Sequence, residues 1–260
     1  MRYIDRMSTE TLDLTIVIPC YNEEAVIPHL AEVLARFAEK AKGVFKLQLV
    51  FVDDGSSDET ARLIKQHFPE QQLARHVENQ GIGAAILTGL QSVQTPYVAV
   101  IDSDCTFDPI QLLSMAPLMN EGVDVVHASP THPEGEMRGV PGWRVLMSKG
   151  AAWVYRRVMR QKLSSATSCF RLMRTQALTG LRLQNFGFSG VTEILLRLDR
   201  AGASVVEYPA VLEVRQFGQS KISTLRTIGE HLNLVKDMLR WKWTGNPLQD
   251  QALPRCLDGD

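Results

Sequence analysis

No apolar run in this 260-residue sequence approaches the ~20 residues needed to span a bilayer, so no transmembrane helix is expected. The segment from Met1 to Asp13 has no apolar core of the kind that marks a secretory leader, and the chain reads as one that is not exported. Cysteine is scarce: Cys20, Cys105, Cys169 and Cys256 lie far apart, without metal-ligand spacing, and read as free thiols of a reducing cytosol. Neither Gly-x-Gly-x-x-Gly nor Gly-x-x-x-x-Gly-Lys occurs; Gly81-Ile82-Gly83 is a fragment of the first, which disfavours nicotinamide or ATP-hydrolysing chemistry. There is no internal repeat and no low-complexity segment.

The most informative absence is of acid. Residues 137–192 carry ten Lys/Arg and no Asp or Glu, whereas residues 1–136 carry nine Lys/Arg against twenty Asp/Glu. Such a block is either a solvated helix face or a site for an anion or an anionic surface, and its length favours the second. The rest is ordinary: 45% apolar and 22% charged residues suit one globular α/β domain with a small appendage.

The first half alternates strand and helix signals. Leu14–Ile18 is a short apolar run closed by Pro19, as in a buried parallel strand. Residues 23–40 space Val26, Leu30, Val33, Leu34 and Phe37 on one helical face. Leu47–Val52 predicts a second strand, and Ser57 is placed to cap the helix after it. Leu73–Val77 is a weaker strand, Gly81–Ser92 a helix, Tyr97–Ile101 a strand, Pro109 a helix start, and Asp124–Ala128 a further strand. This order predicts an α/β, Rossmann-like, mostly parallel sheet flanked by helices. In the second half, residues 129–142 read as a mobile loop and 143–160 as a basic amphipathic helix. A helix over 189–201, a strand over Val205–Tyr208 and a C-terminal amphipathic helix then follow. The organisation expected is an extension over 1–12, a catalytic domain over 13–223 divided near 128, a helix over 224–243 and a disordered tail over 244–260.

In an open parallel sheet, ligands bind beyond the carboxyl ends of the strands. Four polar clusters fall there: Cys20-Tyr21-Asn22-Glu23, Asp53-Asp54, Asn79 and Asp102-Ser103-Asp104. Asp102 and Asp104, one residue apart after a strand, suit a hard cation such as Mg²⁺ or Mn²⁺ that leaves positions for diphosphate oxygens. Asp53 and Asp54 can accept from a nucleotide base or ribose, although Asp-Asp-Gly-Ser also makes a turn.

Three of these segments, from Ile18-Pro19-Cys20-Tyr21-Asn22-Glu23-Glu24 through Val52-Asp53-Asp54-Gly55-Ser56-Ser57-Asp58 to Asp102-Ser103-Asp104, resemble the signature of family 2 inverting glycosyltransferases of the GT-A fold. Thr167-Ser168-Cys169-Phe170-Arg171-Leu172, Gly187-Phe188 with Glu193, and Arg215-Gln216-Phe217-Gly218-Gln219-Ser220-Lys221 resemble the dolichol-phosphate mannose synthase group and its bacterial polyprenyl-phosphate relatives. The resemblance spans roughly residues 13–240. It implies that Pro19, Tyr21, Glu23, Asp53, Asp54, Asn79, Asp102, Ser103 and Asp104 surround a GDP- or UDP-linked sugar and its metal. It also implies that Arg171, Arg215, Ser220 and Lys221 face the donor diphosphate or the acceptor phosphate, with Asp104, Glu193 and Arg215 nearest the chemistry. Glu193 is either a base for a hydroxyl acceptor or a carboxylate placed at a helix N-terminus by the macrodipole.

Two departures stand out. Ala128-Ser129-Pro130-Thr131-His132 replaces a Gly-Ser/Thr-Arg-Tyr segment, and Ser165 and Cys169 replace an Asp and a Gly. The activity expected is transfer of a mannose- or glucose-type hexose to a polyprenyl phosphate. A soluble enzyme acting on a saccharide or metabolite hydroxyl, or a subunit with a membrane partner, is the rival. No nucleic-acid partner is expected, and a homo-oligomer stays open. The expected location is cytoplasmic, with peripheral membrane contact through the basic helix and Trp241/Trp243, unless those helices cover the sheet or pair two copies.

Overall fold

The computed structural model describes residues 11–214, 224–244 and Cys256, with only the backbone of 224–226. The chain begins with β1 (Leu12–Cys20), α1 (Ile27–Ala41), β2 (Phe45–Asp53), α2 (Thr60–His67), β3 (Gln72–Arg75), α3 (Ile82–Gln91) and β4 (Tyr97–Val100). After short helical turns around α4 (Leu112–Met115) come β5 (Val125–Ser129), β6 (Glu136–Arg138), α5 (Gly142–Val158) and β7 (Arg171–Arg174). The described part ends with α6 (Phe188–Ala201), β8 (Val205–Pro209), β9 (Val211–Glu213) and α7 (Thr224–Thr244).

Seven strands form one sheet in the order β3-β2-β1-β4-β7-β5-β8, and β6 pairs with β9 in a separate ribbon. The β1, β2, β3 and β4 pairings are parallel, as is β5 with β8; β7 alone runs antiparallel to both its neighbours. The sheet is therefore mixed and mostly parallel. Side-chain alternation divides the core. Val17, Val50 and Val52 pack on one face against α3, α5, α6 and α7. Leu14, Ile16 and Ile18 pack on the other against α1, α2 and α4.

Several local expectations shift. α1 starts at Ile27 with Pro28 in its first turn, where proline is tolerated, and the residues before it form a turn on the Glu23 carbonyl. Ser57 caps nothing: its amide and hydroxyl donate to Asn22 Oδ1, and α2 begins at Thr60, whose amide and hydroxyl donate to Asp58 Oδ1. The helix expected from Pro109 breaks into three short pieces with Pro117 in the last. The 129–142 loop contains β6, whose register with β9 pairs Met137 with Leu212. β7 and β9 were not expected; neither shows a two-residue alternation, since β7 reads Arg-Leu-Met-Arg. The 244–260 tail and the 1–12 extension lie almost wholly outside the described residues.

Candidate active site

β1 is the switch point of the sheet: β2 and β3 lie on one side of it and β4 on the other. The loops leaving β1, β2, β3 and β4 at their carboxyl ends therefore meet over one crevice. The first two are stitched together. Asn22, with φ +50°, donates its amide to Ser56 Oγ at 2.8 Å and accepts the Ser57 amide at 2.8 Å. The Glu23 amide donates to Thr60 Oγ1 at 2.7 Å, and the buried Glu23 thus anchors the turn into α1. Pro19 lies within β1 opposite Val52, and Tyr21 follows it, half-buried at the crevice.

Asp53 and Asp54 have separate tasks. Asp53 is fully buried; its Oδ1 accepts the Ser56 amide at 3.0 Å, and Arg75 Nε stands 2.8 Å from its Oδ2. Arg75 is more exposed and sits across the strand pair from Asp53, so it is the solvent-side neighbour of that carboxylate. Asp54 faces inward. Its Oδ1 pairs with His76 Nδ1 at 2.7 Å and accepts the Gln80 amide, while its Oδ2 accepts from Asn79 Nδ2 and the Gly81 amide. Asp54 and Asn79, expected among the ligand-facing residues, thus lock the loop before α3. A side chain at Gly55 would meet the backbone of Glu78 at 2.4 Å, so the two loops touch with no room to spare.

The α3 N-terminus is also spoken for. The Gly83 and Ala84 amides donate to the Phe186 carbonyl, at 2.7 and 3.2 Å. Gly81-Ile82-Gly83 serves close packing against residues 185–187, with a Cβ at Gly83 falling 2.9 Å from Phe186 O.

Across the crevice, Asp102 and Asp104 are half-buried, with Ser103 buried between them. Asp104 Oδ1 accepts the Thr106 amide at 3.1 Å, which fixes the turn. Among the described residues, no group of three or more His, Cys, Asp or Glu could hold a metal. The two carboxylates nevertheless fit one Mg²⁺ or Mn²⁺, since they are hard oxygen donors at the end of a strand and leave positions for a diphosphate. Thiols do not compete. Burial, then the charges of Asp104, Asp108 and Asp102, push Cys105 up to about 12, and burial likewise raises Cys20 and Cys169 well above the usual thiol range.

Arg171 is placed behind this pair rather than at an open phosphate site. It is 2% exposed, donates from Nη2 to the Ser168 carbonyl at 2.7 Å, and points Nε at His127 Nδ1, 3.3 Å away. Burial lowers its guanidinium to about 10, partly offset by Cys169 and Asp102. Burial, then Arg171, holds His127 well below the usual imidazole range, so the imidazole is neutral. His132, at the position of the replaced basic residue, accepts the Glu134 amide in a surface turn. Glu193 is fully buried and accepts from four donors. Arg215, Ser220 and Lys221 lie outside the described residues. Sequence reading did not pick out Arg75, His76 or Phe186; the first two stand beside Asp53 and Asp54 only through the β2–β3 register, and Phe186 acts through its backbone.

Beyond the 165–171 segment, α5 and α7 enclose a groove of about 400 Å³. Trp143, Met147, Tyr155, Phe188, Ile228 and Leu232 line it. Trp143, Met147, Ile228 and Leu232 are 52, 39, 38 and 61% exposed, so part of the apolar stripe of each helix faces this groove rather than the sheet.

A mixed, mostly parallel α/β sheet with polar loops meeting at its switch point and two carboxylates after its fourth strand is the architecture of the GT-A class of sugar-transferring enzymes. Residues 15–181 match the model of Glycosyl transferase family 2, and the chain belongs to that family. It is 26% identical over 236 residues to the dolichol-phosphate mannosyltransferase of Pyrococcus furiosus, covering 89% of this chain and 65% of that protein. It thus spans just under two thirds of that relative's length. A Mycobacterium bovis glycosyltransferase is 29% identical over 81% of this chain and 89% of its own length. Among solved structures, glucosyl-3-phosphoglycerate synthase from Mycobacterium tuberculosis, crystallised with Mn²⁺, uridine diphosphate and glucosyl-3-phosphoglycerate, shares the fold. The TM-score is 0.62 at 21% identity, over 91% of this chain and 81% of that one.

Proposed function

We propose that this chain transfers a mannose- or glucose-type hexose from a GDP- or UDP-linked donor to a polyprenyl phosphate, inverting the anomeric centre. The observation that carries this reading is the apolar groove between α5 and α7, one wall of which, α5, belongs to the acid-free basic block. A lipid chain would occupy apolar walls of this kind, with its phosphate directed to the crevice. The mannosyltransferase relative supports a lipid-phosphate acceptor, and the phosphoglycerate enzyme, also crystallised with uridine-diphosphate-glucose, supports a uridine donor.

An acceptor phosphate oxygen attacks the anomeric carbon, the bond to the donor diphosphate breaks, and the nucleoside diphosphate leaves with the electron pair. Such a phosphate is largely ionised at neutral pH, with a second pKa of about 6, so it needs no strong base. That agrees with Glu193, whose oxygens are already committed. Asp53 would orient the base, and Asp102 and Asp104 the diphosphate. A divalent cation held by those two carboxylates would neutralise charge on the leaving group. By resemblance, Arg215, Ser220 and Lys221 would meet the donor diphosphate or the acceptor phosphate.

The test is purified protein with radiolabelled nucleotide sugar, Mn²⁺ and undecaprenyl or dolichyl phosphate. The expected result is a lipid-linked product that Asp104→Ala abolishes while the variant keeps its fold by circular dichroism. Transfer to a water-soluble acceptor such as phosphoglycerate, with none to lipid, would overturn the lipid reading and favour the rival.

A further inference from the structure

Glu193 is a fully buried carboxylate that the transfer chemistry leaves unused. Its Oε1 accepts from the Gln184 amide and from Arg197 Nε, both at 2.7 Å. Its Oε2 accepts from the Asn185 amide at 2.8 Å and from Asn185 Nδ2 at 2.7 Å. Two donors on each oxygen use up the acceptor sites of a carboxylate. A general base needs a free lone pair within reach of the substrate proton, and this one is turned into the turn before α6.

That turn has three further attachments. The Phe186 carbonyl receives the first amides of α3. Gln184 Nε2 donates to Asp237 Oδ2 of α7 at 3.1 Å. Phe188, the next residue but one after Phe186, lines the groove and stands edge-on to His231, 6.2 Å between ring centres; His231 in turn pairs with the Tyr155 hydroxyl at 2.6 Å. There is no slack around it. A Cβ at Gly190 would lie 2.3 Å from the Asn185 carbonyl oxygen, and α3 presses from the other side through Gly83. The far side of α3's first turn is held by Asp54, through the Gln80 and Gly81 amides. Two buried carboxylates therefore pin the two ends of one hydrogen-bonded run, from the strand-end crevice to the turn that carries Phe188 into the groove wall.

We propose that Glu193 is a positioning residue for the acceptor: it fixes the 184–188 turn and thereby sets where Phe188 stands in the wall of the groove. The kinetic part of this inference rests on the groove being the acceptor site; the structural part does not. Glu193→Gln keeps the volume but turns an –NH2 toward donors in either amide orientation. A misplaced contact surface of about an ångström can cost up to about a hundredfold. The expected result is an acceptor KM raised about tenfold, with kcat at saturating acceptor and donor KM within about twofold, and the shape of the pH–rate profile kept. Amides 184–188 should lose hydrogen-exchange protection while β1 and β2 keep theirs. Asn185→Ala, which removes one donor and no carboxylate, should raise the acceptor KM in the same direction and covers the case in which Glu193→Gln does not fold.

A fall in kcat of about a hundredfold or more, with loss of a pH limb and an unmoved KM, would make Glu193 the base and overturn the proposal. Unchanged exchange at 184–188 would overturn it too. If the wild-type protein forms no lipid-linked product, the acceptor reading fails, and the exchange measurement alone still decides whether Glu193 fixes the turn.

Discussion

Asp53 and Asp54 are chemically identical neighbours, and the fold gives them opposite tasks: one stands beside Arg75 at the crevice, the other ties down the loop before α3. Strand alternation decides which is which, and only the β2–β3 register reveals the partners. Asp102 and Asp104 were legible because an apolar strand delivers them. Glu193 could be singled out in the sequence but its partners could not, because three of its donors come from a turn with no sequence signature. The cysteines make a prediction at this scale. Cys20 and Cys169 are buried with raised pKa values and so offer little thiolate, whereas Cys256 is exposed. Brief treatment with iodoacetamide at pH 7.5 should label Cys256 first, with Cys20 and Cys169 labelled only after unfolding, as read by peptide mass spectrometry.

Helix contacts show where small side chains are obligatory. α3 and α6 approach through Gly83 and Gly190, and a methyl at Gly190 would lie 2.3 Å from a backbone oxygen. Gly190→Ala should cost about 1–3 kcal/mol, as overpacking does, and lower the thermal midpoint by several degrees. An unchanged midpoint would show that the α3–α6 contact yields easily. Among the elements, β1, β4 and β5 were legible as apolar runs because both faces of each are largely buried, and β2 because its second half, Val50–Asp53, is. β7 was not, since two adjacent apolar residues between arginines carry no period, and its place in the sheet comes from pairing with β4 and β5. The α2 start was misread because Asn22, 35 residues away, takes the Ser57 donors.

Over the whole molecule, charge and apolar exposure are sorted. The acidic first half supplies Asp102 and Asp104, and the acid-free block supplies α5, on which Arg144 and Arg157 lie over the exposed Trp143 and Trp153. No helix among the described residues is long and apolar enough to cross a membrane. Peripheral attachment would then combine basic attraction with interfacial Trp. Flotation with vesicles containing phosphatidylglycerol should carry the protein at 0.1 M salt and release most of it at 0.5 M, as screening weakens the attraction. Protein that stays soluble at both would count against membrane contact.

The antiparallel β7 sets the order in which such a chain can be made. It fills the gap between β4 and β5, pairing Tyr97 with Arg174, 77 residues further on. Until Arg174 has left the ribosome, β4 presents an open edge and β5 has no neighbour. The strand-end crevice, though written almost wholly before residue 105, therefore cannot close on a finished sheet during the first half of synthesis. A break near residue 128 would strand two unpaired edges, the kind of surface that recruits other chains. The midpoint of the sequence marks a division of chemistry, while cooperative folding has to wait for the second half.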